Sequence, residues 1–189
     1  MNEVLDLFRQ TGALLHGHFV LRSGLHSREF FQCAILLQHA GIASQVCGQL
    51  AEKLRPFSAP DVTVVSPAVG GIIVGQEVAR HLDTRHIFVE KDGQGGLVMR
   101  RFAIEPGAKY LVAEEVVTRG GRVQETIDIL RAAGGIVVAA GSIVDRSGGQ
   151  LPDFGCPFVS LVHMTPETFE ADALPPDLAA IPAVKPGSK

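Results

Sequence analysis

Apolar residues recur along this chain with two periods. Near its start, Val4, Leu5, Leu7 and Phe8 share one face of a short helix. Residues 17–21 (GHFVL) and 29–33, the second with two phenylalanines, read as extended pieces on either side of Ser23-Gly24. Over 40–55, Ile42, Val46, Leu50 and Leu54 stand four apart, which predicts a helix stopped by Pro56. A unit then repeats in outline: a short β-branched run, a glycine-rich turn, a helix. It is seen at 61–65, followed by SPAVGGIIVG and a helix through Arg80. It is seen again at 110–113, followed by EEVVTRGG and a helix over 122–133 that Gly134-Gly135 ends. Further strands are expected at 86–90, 136–144 and 157–161. Continuous apolar strands alternating with helices predict an α/β fold, a central and mainly parallel β-sheet flanked by helices. Residues 1–35 are left to form a small N-terminal hood. Residues 1–170 read as a single domain. The tail over 171–189, with Pro175, Pro176, Pro182 and Pro186, is expected to be extended rather than helical.

One stretch breaks the alternation. Between the strands at 86–90 and 110–113 lies KDGQGGLVMRRFAIEPGAK, in which Asp92-Gly93 signals a hairpin turn. Residues 97–104 read as a returning strand bearing Arg100 and Arg101. A long, glycine-rich excursion with basic residues reads as a functional loop or lid.

Composition narrows the class. The 189 residues suffice for one domain that buries about 70% of its unfolded surface, so neither disulfides nor a structural metal is needed. Seventeen Lys and Arg against twenty Asp and Glu give a net charge of −3, which argues against nucleic acid or a membrane surface as partner. No apolar run approaches the roughly 20 residues that cross a bilayer. Cys33, Cys47 and Cys156 are odd in number and lack CxxC pairing, so they read as reduced thiols. With no basic-then-apolar leader at the start, a soluble cytoplasmic protein is expected. His16, His18 and His26 lack a third ligand at a recognised spacing, and Ser23 and Ser66 lack a nucleophile elbow.

The chemistry concentrates at 110–126, YLVAEEVVTRGGRVQET. A buried strand delivers two adjacent carboxylates, Glu114 and Glu115, and a Thr-x-Gly-Gly turn then opens a helix. Glycines let backbone N–H groups converge on an anion, and the helix N-terminus adds partial positive charge. Arg119 and Arg122 add fixed charge. Paired acids beside a phosphate cradle need hydroxyls or a cation to face, so a sugar phosphate is the implied ligand. Neither a P-loop nor a GxGxxG fingerprint is present.

AEEVVTRGG resembles the phosphoribosyl diphosphate (PRPP) motif of type I phosphoribosyltransferases. With GHFVLRSGLHSREFFQCA at 17–34, SPAVGGIIVG at 66–75 and VDRSGG at 144–149, the chain resembles the orotate phosphoribosyltransferase family in order and spacing over most of residues 1–165. The resemblance implies transfer of phosphoribose from PRPP to orotate, giving orotidine 5′-monophosphate and diphosphate in pyrimidine biosynthesis. It also implies Mg²⁺ as cofactor, with no protein side chain assigned as its ligand. Glu114 and Glu115 would meet the ribose hydroxyls, and Val116 and Val117 would lead to the phosphate cradle of Thr118, Arg119, Gly120, Gly121 and Arg122. Thr118, Arg146 and Arg22 would contact orotate, and the loop 66–71 would approach the diphosphate. The excursion at about 90–104 would be the family's mobile loop, and Lys91, Arg100 and Arg101 would be its catalytic cations, acting across a homodimer. Glu115 stands where the family usually has Asp. Two alternatives stay open at this stage, a phosphoribosyltransferase for another base and a weakly catalytic PRPP-binding regulator.

Overall fold

In the computed structural model, which describes residues 3–21 and 23–186, helix α1 (Glu3–Gln10) buries Val4 and Phe8. Its acids lie in the first turn and Arg9 in the last, the sense that complements a helix dipole. The first extended piece is longer than the sequence suggests, β1 (Leu14–Val20). The second is displaced: β2 (His26–Phe31) ends at Phe31, and Cys33 opens the short helix α2 (Cys33–Leu37). Phe8 packs edge-on against Phe31, with ring centroids 5.0 Å apart. Helix α3 (Ala40–Leu54) buries Val46, Leu50 and Leu54 completely, as their spacing requires, and Pro56 lies in the 3-10 turn beyond it.

The central sheet comprises β3 (Thr63–Pro67), β4 (Arg85–Lys91), β5 (Leu97–Val98), β6 (Lys109–Val117), β7 (Ile136–Asp145) and β8 (Phe158–His163), with α4 (Gly71–Leu82) and α5 (Gly121–Ala132) between them. Among the described residues the strand order is β5-β4-β3-β6-β7-β8, parallel except for the β4–β5 pair. Alternation along the strands divides the core into two layers. Val64, Leu111, Ala113 and Ala139 pack with α3 and α4 on one face. Val65, Tyr110, Val112 and Ala140 pack with Val123, Ile127 and Leu130 of α5 on the other. From β3 the chain moves through α4 to β4 on one side, and from β6 through α5 to β7 on the opposite side. The topological switch therefore falls between β3 and β6, where open α/β sheets bind ligands.

Two expectations need correction. The returning strand predicted over 97–104 is only β5, two residues paired with Glu90 and Lys91. Arg100 and Arg101 turn back to Glu90, and Phe102 packs edge-on against Phe88 at 5.2 Å, which carries the chain off the sheet edge and over its face. The tail is not extended throughout either. Strand β9 (Thr168–Phe169) pairs with β2, and the tail then forms α6 (Pro176–Ala179) with a proline in its first turn, where the missing N–H costs nothing. Val184 bridges Phe19 of β1, exchanging hydrogen bonds of 2.8 Å with Val20 N–H and the His18 carbonyl. Arg28 grips Asp177 through two bonds of 2.7 and 2.8 Å. Both ends of the chain thus build the hood. Leu178, only 1% exposed, is the tail's apolar anchor, and Leu178→Ala is expected to cost about 2–5 kcal/mol. Urea unfolding checks this; an unchanged midpoint would mean that the tail carries no stability.

Candidate active site

Four loops meet at the carboxyl ends of the strands. From β3 comes Ala68-Val69-Gly70, whose Ala68 N–H donates to the Val89 carbonyl at 2.7 Å. From β6 comes Thr118-Arg119-Gly120, from β4 the hairpin beginning at Lys91, and from β7 Arg146, whose N–H donates to the Val117 carbonyl at 2.8 Å. Between the first three lies a cleft of about 560 Å³, lined by residues 67–71, Glu90, Lys91, 114–118 and 120–123. That volume suits a small-molecule ligand. A second recess, at Pro60 and Arg85, opens at the other end of the strands, away from these loops.

The acidic doublet forms the floor. β6 runs on through Val117, so Glu114 and Glu115 are strand residues, and their carboxyls lie against the neighbouring backbone positions Gly71 and Gly70. Glu114 is 8% exposed, and one of its oxygens accepts the Glu115 N–H at 2.9 Å. Burial, and after it the neighbouring Glu115 charge, push its carboxyl well above the usual range, while Arg122 partly offsets this. Glu115 is raised by burial. Its Oε2 is buried with no hydrogen-bond partner in the protein, which leaves it free for a ligand. The Glu115 carboxyl reaches across to the β3 loop, where a Cβ built on Gly70 would fall inside it. Any side chain at 70 would therefore displace the Glu115 carboxyl from the place it holds.

The roof is the turn into α5. Gly120 has φ +77°, and a Cβ there would come within 2.9 Å of both Phe154 and Pro152. Gly121 has open space where a side chain would stand. A backbone so bared at a helix start can take up an anion. Thr118 and Arg119 are exposed. Arg122 lines the cleft but already has partners, Glu125 at 2.7 Å and the Gly95 carbonyl at 3.0 Å. Lys91 lines the cleft too, whereas Arg101 binds Glu90 at 2.7 Å and Arg100 donates to the Asp92 carbonyl at 3.2 Å. Neither arginine is among the lining residues. Arg22 lies outside the described residues.

Arg146 stands apart from the carboxylates, toward the hood. Its guanidinium carbon is 6.0 Å from the Phe30 ring centroid and 5.9 Å from that of Phe31, and its Nε is buried without a partner. Burial lowers its pKa. This is a half-buried cation with one nitrogen unpaired and Glu29 as a neighbouring charge, an arrangement that an acidic planar ligand would complete. Two contacts of this region have no signature in the sequence. Cys33 is buried near Arg146 and both acids, so that burial and then the charges of Glu115 and Glu114 push its thiol well above the ordinary range. Ser66, fully buried just before the β3 loop, bonds His86 at 2.7 Å, and burial pushes that imidazole down to about 4. Serine followed by a glycine-rich turn was visible in the sequence, but its histidine on the next strand was not.

Comparison with known proteins decides the family. Residues 34–171 match the family described as Phosphoribosyl transferase domain. The orotate phosphoribosyltransferase of Caulobacter vibrioides is 47% identical over 188 residues, covering 100% of this chain and 96% of the relative. The chain belongs to the orotate phosphoribosyltransferase family. Orotate phosphoribosyltransferase 2 of Mesorhizobium japonicum is 46% identical, over 100% of this chain and 97% of the relative. The crystal structure of the orotate phosphoribosyltransferase of Aeropyrum pernix superimposes with a TM-score of 0.71 at 25% identity, over 85% of this chain and 93% of that one. The sequence resemblance and the α/β architecture expected from the periodicity therefore hold. Among the described residues, no helix is long and apolar enough to cross a membrane, and no group of three or more His, Cys, Asp or Glu side chains is placed to hold a metal ion.

Proposed function

We propose that this chain is an orotate phosphoribosyltransferase, joining orotate to the phosphoribosyl group of PRPP to give orotidine 5′-monophosphate and diphosphate for pyrimidine nucleotide synthesis. The observation that carries the reading is the cleft itself. Two adjacent acids, Glu114 buried and Glu115 half-buried, stand at the switch point of the sheet, between a bare glycine turn on one side and the 68–70 backbone on the other. In this reading the phosphate ester of PRPP sits on 118–122, the ribose hydroxyls lie on Glu114 and Glu115, and the diphosphate lies along 68–71. Arg146, beside Phe30 and Phe31 and with its Nε unpaired, holds the acidic base. It favours orotate over a purine because a half-buried cation binds an anion far better than a neutral ring.

During transfer, the bond from the anomeric carbon to diphosphate breaks as the bond to the orotate ring nitrogen forms, and positive charge develops on the ribose. The protein's part is positioning and electrostatics. The turn and Arg146 hold two anions in register, and the acids keep the ribose oriented. Lys91 meets the departing diphosphate, and the 90–104 hairpin excludes water. The orphaned Glu115 Oε2 suits a ribose hydroxyl or the Mg²⁺ that accompanies PRPP. When bound, Mg²⁺ neutralises charge on the diphosphate. The reading includes a homodimer in which the hairpin of one protomer serves its neighbour; that Arg100 and Arg101 do not line their own cleft supports this. The three free thiols, two of them buried, support a cytoplasmic setting.

Purified protein given orotate, PRPP and Mg²⁺ is expected to form orotidine 5′-monophosphate, and to leave adenine and hypoxanthine unused. Consumption of a purine with orotate untouched would overturn the substrate assignment.

A further inference from the structure

Arg122 and Glu125, one turn apart on α5, tie the hairpin to the helix. The two Glu125 oxygens have separate partners: Oε1 accepts the Leu97 N–H at 2.5 Å and Oε2 the Arg122 Nη1 at 2.7 Å. Arg122 Nη2 then donates to the Gly95 carbonyl at 3.0 Å. Gly96 lies so close that a Cβ there would sit 3.3 Å from Glu125 Oε1 and 2.7 Å from Asp92 Oδ2. Otherwise the hairpin near its tip is held by two ladder positions, Glu90 with Val98 and Lys91 with Leu97, by the burial of Leu97, by the Arg100 bond to the Asp92 carbonyl, and by the internal bonds of its own turn, in which Asp92 Oδ1 accepts the N–H groups of Gln94 and Gly96. A segment held by so few contacts opens at low cost, so the Glu125 bonds are a large share of what keeps it down.

Arg122 also lines the cleft beside Gly120 and Gly121. Its guanidinium therefore stands between two anionic positions, Glu125 and whatever occupies the turn. A phosphate ester offers three oxygens and more charge than a carboxylate, and it takes a guanidinium in a bidentate grip. We propose that Glu125 is a positioning residue: with Arg122 it latches the hairpin onto α5 while the turn is empty, and a phosphate ester taken by the turn draws Arg122 away and releases the hairpin. The inference rests on the phosphate position given under the proposed function. Once Arg122 turns to the phosphate, the Gly95 carbonyl loses its donor, and Glu125 is left without its counter-charge beside a second anion. Arrival of the sugar phosphate then frees the loop that carries Lys91, Arg100 and Arg101.

Amide hydrogen exchange over residues 93–98, read with and without ribose 5-phosphate and alongside calorimetry of the same ligand, tests this. In the parent protein, ribose 5-phosphate is expected to speed exchange at Gly96 and Leu97 about tenfold, the scale of one charge-assisted hydrogen bond. Glu125→Ala should exchange at the fast rate already when empty and gain nothing from the ligand. Arg122→Ala, a second variant that leaves Glu125 in place, should also be fast when empty. If ribose 5-phosphate binds and exchange is unchanged, the coupling is overturned and the phosphate site stands. If it does not bind, both are overturned. Exchange in Glu125→Ala as slow as in the parent removes the latch.

Discussion

Gly70→Ala is expected to lower kcat/KM for PRPP by at least about a hundredfold, the scale of an ångström-level misplacement in a demanding site. The new methyl would occupy the space of the Glu115 carboxyl, so either the 68–71 loop or the acid must leave its place. Aspartate at 115 is one methylene shorter, a retreat of about 1.5 Å. Glu115→Asp alone should therefore keep or raise turnover, and in combination with Gly70→Ala it should recover most of the loss. Steady-state kinetics on the two single variants and the double variant decide the matter. A double variant no better than Gly70→Ala would show that the methyl collides with something other than Glu115, and a large loss in Glu115→Asp alone would show a site built around the longer acid.

The second large effect concerns the base. Arg146→Ala should raise the orotate KM about 10- to 100-fold while changing the PRPP KM much less, because a hydrogen bond to a charged partner contributes about 1.5–3 kcal/mol. The asymmetry follows from place. Arg146 leaves β7 toward Phe30 and Phe31 of the hood, whereas the acids and the glycine turn lie along β6. Equal changes in the two KM values would remove Arg146 from the base site.

What could be read from the sequence was what is local in the chain. The helix over 40–54 follows from one repeated spacing, and the strand, acid pair and glycine turn of 110–121 are contiguous, so order along the chain fixes their order in space. The contacts that decide the chemistry join distant segments and have no local signature. Nothing around Gly70 announces that Glu115 fills the space beside it, and nothing around Arg122 announces a hairpin carbonyl as its partner. The tail misled for a related reason. Its prolines break helices in general, but at the first turn of α6 a proline is favourable, and Leu178 supplies the burial that keeps so short a helix in place.

That the hood joins both ends of the chain bears on its birth on the ribosome. Ser27 donates to the carbonyl of Glu167, 140 residues later, and β1 receives Val184 later still. Contacts so distant in sequence form late, after the sheet and its helices have emerged and begun to pack. A nascent chain stalled before residue 167 would hold the acid pair and the glycine turn but lack the β9 and Val184 contacts that complete the hood, of which Phe30 and Phe31 beside Arg146 are part. Competence toward the sugar phosphate would then precede competence toward the base during synthesis.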